Sequence, residues 1–94
     1  IVSNTEEVSE DRFHVYPTIL SAGQTIIVEP KMNTSSSRTE ILLFNSKGVL
    51  ISKTAAIGNQ KLELPTSDVS SGMHFIYFIG NGWMECRKVQ IFSN

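Results

Sequence analysis

The sequence lacks most of what builds catalytic centres and covalent cross-links. Cys86 is the only cysteine, so no disulfide can close within the chain, and a metal site would rest mainly on other ligand types. The only histidines, His14 and His74, lie far apart in sequence. A Ser-His-Asp set drawn from them, Asp68 and the serines has neither a nucleophile elbow nor a family signature behind it. His74 reads as a packed residue with its ring nitrogens satisfied, Cys86 as a small strand residue, and the expectation is no enzyme, metal or cofactor. Neither sign of charge dominates: 8 Lys and Arg face 9 Asp and Glu. That balance provides no basic field for nucleic acid. No apolar run approaches the ~20 residues of a spanning helix, no signal-peptide pattern is present, and no stretch keeps a convincing helical period. At 94 residues the chain makes one domain with a modest core and little room for a cleft. It opens on Ile1 rather than methionine and reads as a piece of a longer protein.

What is present is β-strand material. Residues 1–12 hold Glu6, Glu7, Glu10 and Asp11 among small polar residues and read as an acidic flexible linker. From Phe13 onward, short apolar runs alternate with turn residues every eight to twelve positions, the spacing of a sandwich or barrel. Strands are expected near 13–16, 24–29, 38–44, 49–56, 59–64, 73–79 and 83–92. The fold class is therefore an all-β, two-sheet antiparallel sandwich of about seven strands, Ig-like or Greek-key, over residues 13–94. Asn45-Ser46-Lys47-Gly48, Gly58-Asn59 and Gly80-Asn81-Gly82 read as hairpin turns, and Pro65 to Gly72 as a crossover between sheets. The expected core is Val15, Ile26, Val28, Ile41, Leu43, Val49, Leu62, Leu64, Ile76, Phe78, Val89 and Ile91.

Two segments are apolar on both faces, 41–44 and 75–79. Either they are central strands whose outer face meets a loop, the linker or a neighbouring domain, or Phe75, Tyr77 and Ile79 form part of a docking surface. In the last strand Met84 and Cys86 have one parity, Val89 and Ile91 the other, so a β-bulge near Arg87-Lys88 would bring all four to one face. Trp83 is either a packing residue at the hairpin edge or an exposed contact.

Three segments carry a resemblance. The first is Val15-Tyr16-Pro17-Thr18 with the turn at Gly23 and the strand Ile26-Ile27-Val28. The second is Ile41-Leu42-Leu43-Phe44-Asn45-Ser46-Lys47-Gly48-Val49-Leu50. The third runs from Ser70-Ser71-Gly72-Met73-His74-Phe75-Ile76-Tyr77 to Lys88-Val89-Gln90-Ile91. In this order, over roughly 13–94, they resemble the C-terminal sorting domain of the bacterial type IX secretion system. The usual opening resembles Tyr-Pro-Asn-Pro, where this chain has Tyr16-Pro17-Thr18-Ile19. His74 stands where a tyrosine is usual.

The resemblance implies a folded secretion signal. Outer-membrane type IX proteins would recognise the domain and carry an attached upstream cargo from the periplasm to the cell surface. A surface sortase would usually cut in the linker, near Glu6, Glu7, Glu10 and Asp11, and join the cargo to anionic lipopolysaccharide. Some family members are retained on the machinery and bind or are linked to that lipopolysaccharide. The expected recognition residues are Gly72, Phe75, Tyr77, Ile79, Arg87 and Lys88, on or beside an exposed terminal hairpin. The alternative from another class is an accessory sandwich that joins domains or binds carbohydrate. An aromatic platform on one face would favour the latter, and its candidates are Trp83, Tyr77 and Tyr16, which the sequence does not place together.

Overall fold

The computed structural model describes residues 12–31, 38–58 and 60–93; the acidic stretch Glu6, Glu7, Glu10 and Asp11 lies outside them. Eight strands run in the order β1 (Phe13–Tyr16), β2 (Ile19–Ser21), β3 (Thr25–Pro30), β4 (Arg38–Asn45), β5 (Leu50–Ile57), β6 (Leu62–Pro65), β7 (Gly72–Gly80) and β8 (Trp83–Phe92), with no helix among the described residues. They form a β-sandwich. One sheet has three strands ordered β1-β3-β6, the other five ordered β2-β8-β7-β4-β5.

Local chemistry places the turns. At the β4–β5 hairpin the Asn45 side-chain oxygen accepts from the backbone N–H of Lys47 (2.9 Å) and of Val49 (3.0 Å). The Gly48 N–H donates to the Asn45 carbonyl at 3.0 Å. An asparagine thus supplies from its side chain what a turn otherwise takes from backbone. The β7–β8 hairpin closes on the pair Gly80↔Trp83, with Gly82 at φ 84°, a conformation that glycine adopts without Cβ strain. Pro30 and Pro65 end β3 and β6, where no further ladder donor is needed. The Pro65–Gly72 segment crosses from the three-stranded to the five-stranded sheet, as its length implies. Gly58 does not turn a hairpin: β5 and β6 belong to different sheets, so the chain crosses there instead.

Alternate residues of both sheets meet in one core. Phe13, Ile26, Val28 and Leu64 come from the smaller sheet; Leu20, Ile41, Leu43, Ala56, Ile76, Phe78, Val89 and Ile91 come from the larger. Phe13 stacks on Phe78 across the interface, ring centroids 4.7 Å apart, a geometry that adds to the area both rings bury. Val15 and Leu62 are only partly buried against this core. Val49 is outside it, 54% exposed, because it sits in the hairpin connection rather than on a strand. Ala56 takes a core position on β5 in its place. Thr66, fully buried, ties the crossover to the β2–β3 turn: its hydroxyl oxygen accepts from Gly23 N–H and its proton goes to the Gln24 carbonyl.

The eighth strand is β2, which lies parallel to β8 through Ile19↔Gln90, Leu20↔Ile91 and Ser21↔Phe92. Gln90 N–H donates to Thr18 O at 2.8 Å and Ala22 N–H to Phe92 O at 2.7 Å. β8 is therefore flanked on both sides at Gln90 and Ile91, by β7 and by β2, and is not a free edge there. The expected bulge in β8 is absent. Its register with β7 runs unbroken from Trp83 to Ile91, so Met84 and Cys86 point outward and Trp83, Glu85 and Arg87 share the inward side with Val89 and Ile91. The register shift falls instead in the β4–β5 pair, after Leu43.

Candidate functional site

Strand pleating decides what the five-stranded sheet shows to the outside. His74, Ile76 and Phe78 are buried inward, so Phe75, Tyr77 and Ile79 must face out. Antiparallel pairing sets Tyr77 opposite Leu42 and Phe75 opposite Phe44 on β4. The rings of Phe44 and Tyr77 meet edge-on at 5.5 Å. Together these side chains and the Asn45–Gly48 turn line an open, mostly apolar groove of about 460 Å³. Both segments that are apolar on two faces thus contribute to a single surface feature. Lys88 pairs with Phe75 from β8 and borders this face.

Arg87 does not. It pairs with buried Ile76 and turns inward. Its guanidinium lies 3.5 Å from a Glu85 carboxylate oxygen and donates to the Phe13 carbonyl at 3.3 Å. Adjacent residues on an unbulged strand face opposite sides, so Arg87 and Lys88 cannot act as one basic pair. Glu85, with its side chain only 7% exposed, also takes Arg12, at 3.5 Å. It accepts the Arg12 backbone N–H on both oxygens, at 3.2 and 3.0 Å. The Arg12 guanidinium stacks over the Trp83 ring, 4.3 Å from its centroid, a cation–π contact. Trp83 is a packing residue: it lies 6.2 Å from the Phe13 ring and covers Gly80, where a Cβ would collide with the indole. The cluster fixes the point at which the chain joins the sandwich. The parity of Val89 and Ile91, continued backwards without a bulge, is the signal that would have turned Glu85 and Arg87 inward.

Gly72 opens β7 at φ 126°, and its carbonyl accepts from His74 Nδ1 at 3.0 Å. His74 is buried as expected, but Nε2 has no hydrogen-bond partner among the described residues. The residue lines a polar cavity of about 250 Å³ with Asn45, Lys47 and Ser70. Cys86 is exposed on the opposite side of the same sheet, so His74 and Cys86 do not converge. On the smaller sheet, Tyr16 donates its hydroxyl proton to Glu29 at 3.1 Å; partial burial and this carboxylate neighbour raise its phenol above the ordinary value. Tyr16 and Tyr77 lie on opposite outer faces of the sandwich, and Trp83 points inward. These three aromatics form no shared platform.

No known family model matches the chain, and no curated protein matches it in sequence.

Proposed function

We propose that the chain is a sorting domain of the type IX secretion kind, recognised by outer-membrane secretion proteins through the outer face of its larger sheet. The observation that carries this reading is the groove formed by Leu42, Phe44, Phe75, Tyr77 and Ile79. Two of the three resembling segments meet there, edged by Lys88. Apolar side chains gathered on a surface mark a contact site more often than scattered ones do. The anchoring of Arg12 on Glu85 and Trp83 supports a further part of the reading. A protease acting in the acidic linker would meet a defined boundary beside the terminal hairpin. A domain retained on the machinery, facing anionic lipopolysaccharide, would use the same face, on which Lys53 and Lys88 make no ion pair among the described residues. The carbohydrate-binding alternative loses its aromatic platform.

The test is a periplasmic reporter fused upstream of the domain in a type IX-competent bacterium. Surface delivery by the intact domain and none without it is the expected result. Gly72→Val serves as the folding control. At φ 126° a β-branched residue is strained by about 1–3 kcal/mol, which lowers the melting temperature by at least about 5 °C and reduces export with it. Failure of the intact, folded domain to redirect the reporter rejects the sorting role.

A further inference from the structure

An open sheet edge presents a row of unpaired N–H and C=O groups, and folded proteins shorten, bend, charge or cover such edges. Three terminal strands here are short: β1 and β6 have four residues each, and β2 has three. Where β8 runs past β2, it carries inward-pointing Glu85 and Arg87, tied to Arg12 and Phe13. Inward charge is itself a known defence of an edge.

The fourth terminal strand, β5, is different. It is eight residues long, and no strand flanks its outer side among the described residues. It contains no proline or glycine and one charged residue, Lys53. The register shift touches only its first residues; from Ser52 to Ile57 the pairing with β4 is regular. Leu50 and Ile57 are 47% and 56% exposed. On the outer face Leu50 lies beside Phe44, and Lys53 beside Leu42, so the edge continues the apolar groove by one strand. Lys53 has no ion pair among the described residues. A lone lysine on an edge disfavours pairing with a second copy and favours a carboxylate opposite it.

We propose that the outer edge of β5, which no strand flanks among the described residues, is a strand-addition site for an extended segment of another protein. That segment alternates apolar residues with small polar ones and places one carboxylate against Lys53. Backbone hydrogen bonds supply the affinity, and the alternating side chains supply the register. The inference rests on this edge and not on the sorting reading, so an in vitro result decides it whatever the export assay gives.

The test titrates the isotope-labelled 94-residue chain with an eight-residue peptide of alternating valine and threonine carrying one central aspartate. Amide shifts and exchange rates are followed by NMR. Saturable shifts and slowed exchange along residues 52–57 are expected. Lys53→Glu, an exposed change that leaves the fold intact, weakens binding about two- to fivefold, the scale of one cross-strand charge pair. A peptide with lysine in place of aspartate recovers it. Unperturbed β5 amides at millimolar peptide overturn the proposal, as do shifts confined to Phe75 and Tyr77. A concentration-dependent dimer joined through β5 assigns the edge to a second copy and also overturns it.

Discussion

Phe78→Ala is expected to destabilise the domain by about 3–5 kcal/mol, the range for removing a fully buried aromatic side chain. Phe78 has no exposed surface, and its ring is the five-stranded sheet's half of the stack with Phe13. Truncation removes that contact and leaves a cavity between two sheets that cannot close without shifting either backbone. Total stabilities of small domains run at about 5–15 kcal/mol, so this one change removes a large share. Phe78→Leu keeps most of the volume and should cost far less, about 1–1.5 kcal/mol. Urea denaturation of the two variants measures the difference. Equal midpoints for alanine and leucine would place Phe78 outside the core.

The second large effect is electrostatic. Glu85→Ala should cost about 2–3 kcal/mol. Removing one partner of a fully buried ion pair costs about 3–5 kcal/mol, and here the arginines keep some solvent: their side chains are 40% exposed for Arg12 and 24% for Arg87. The loss has three parts. Arg87 loses the Glu85 carboxylate, the Arg12 N–H loses its acceptor, and the Arg12 guanidinium loses the carboxylate beside which it stacks on Trp83. Trp83 is the only tryptophan, so its fluorescence reports the third part separately from global unfolding. A double-mutant cycle with Arg87→Gln should give a coupling of about 0.5–3 kcal/mol. A cycle that closes at zero would mean that Glu85 and Arg87 act independently despite their 3.5 Å separation.

Both effects depend on which way side chains of the terminal hairpin point, and this is where sequence reasoning both worked and failed. From Phe75 to Ile79 every residue of β7 is large and apolar, so the pleat could be followed without its neighbours, and Phe75, Tyr77 and Ile79 were legible as one face. Their partners on β4 were not, because strand order is a long-range property that alternation does not encode. In β8 the pattern misled. Met84 and Cys86 are apolar, yet they face outward while Trp83, Glu85 and Arg87 face inward, because Glu85 and Arg87 neutralise each other and meet Arg12 and Phe13 inside. Charge compensation by a residue more than seventy positions away leaves no local trace. The same holds for β2, three residues long, whose strand character comes entirely from parallel pairing with the end of the chain. The turns were more legible, since Asn45 and Gly82 act within a few residues of themselves. Gly58 has the residue type of a hairpin turn, but the strand that follows it pairs with β3 in the other sheet.

The central claim is that the outer face of the larger sheet is what secretion proteins recognise. Its most direct measurement is surface delivery of the fused reporter by a Tyr77→Ser, Lys88→Gln variant, against Glu63→Gln on the other sheet. Lys88 lies on the strand's outward side, clear of the Glu85 cluster, so its replacement alters stability by no more than about 0.5 kcal/mol. Tyr77 is half-buried and its loss is checked by melting before export is scored. The account predicts a folded Tyr77→Ser, Lys88→Gln domain that delivers little reporter, beside a Glu63→Gln domain that delivers it normally. Full delivery by the folded outer-face variant would contradict it.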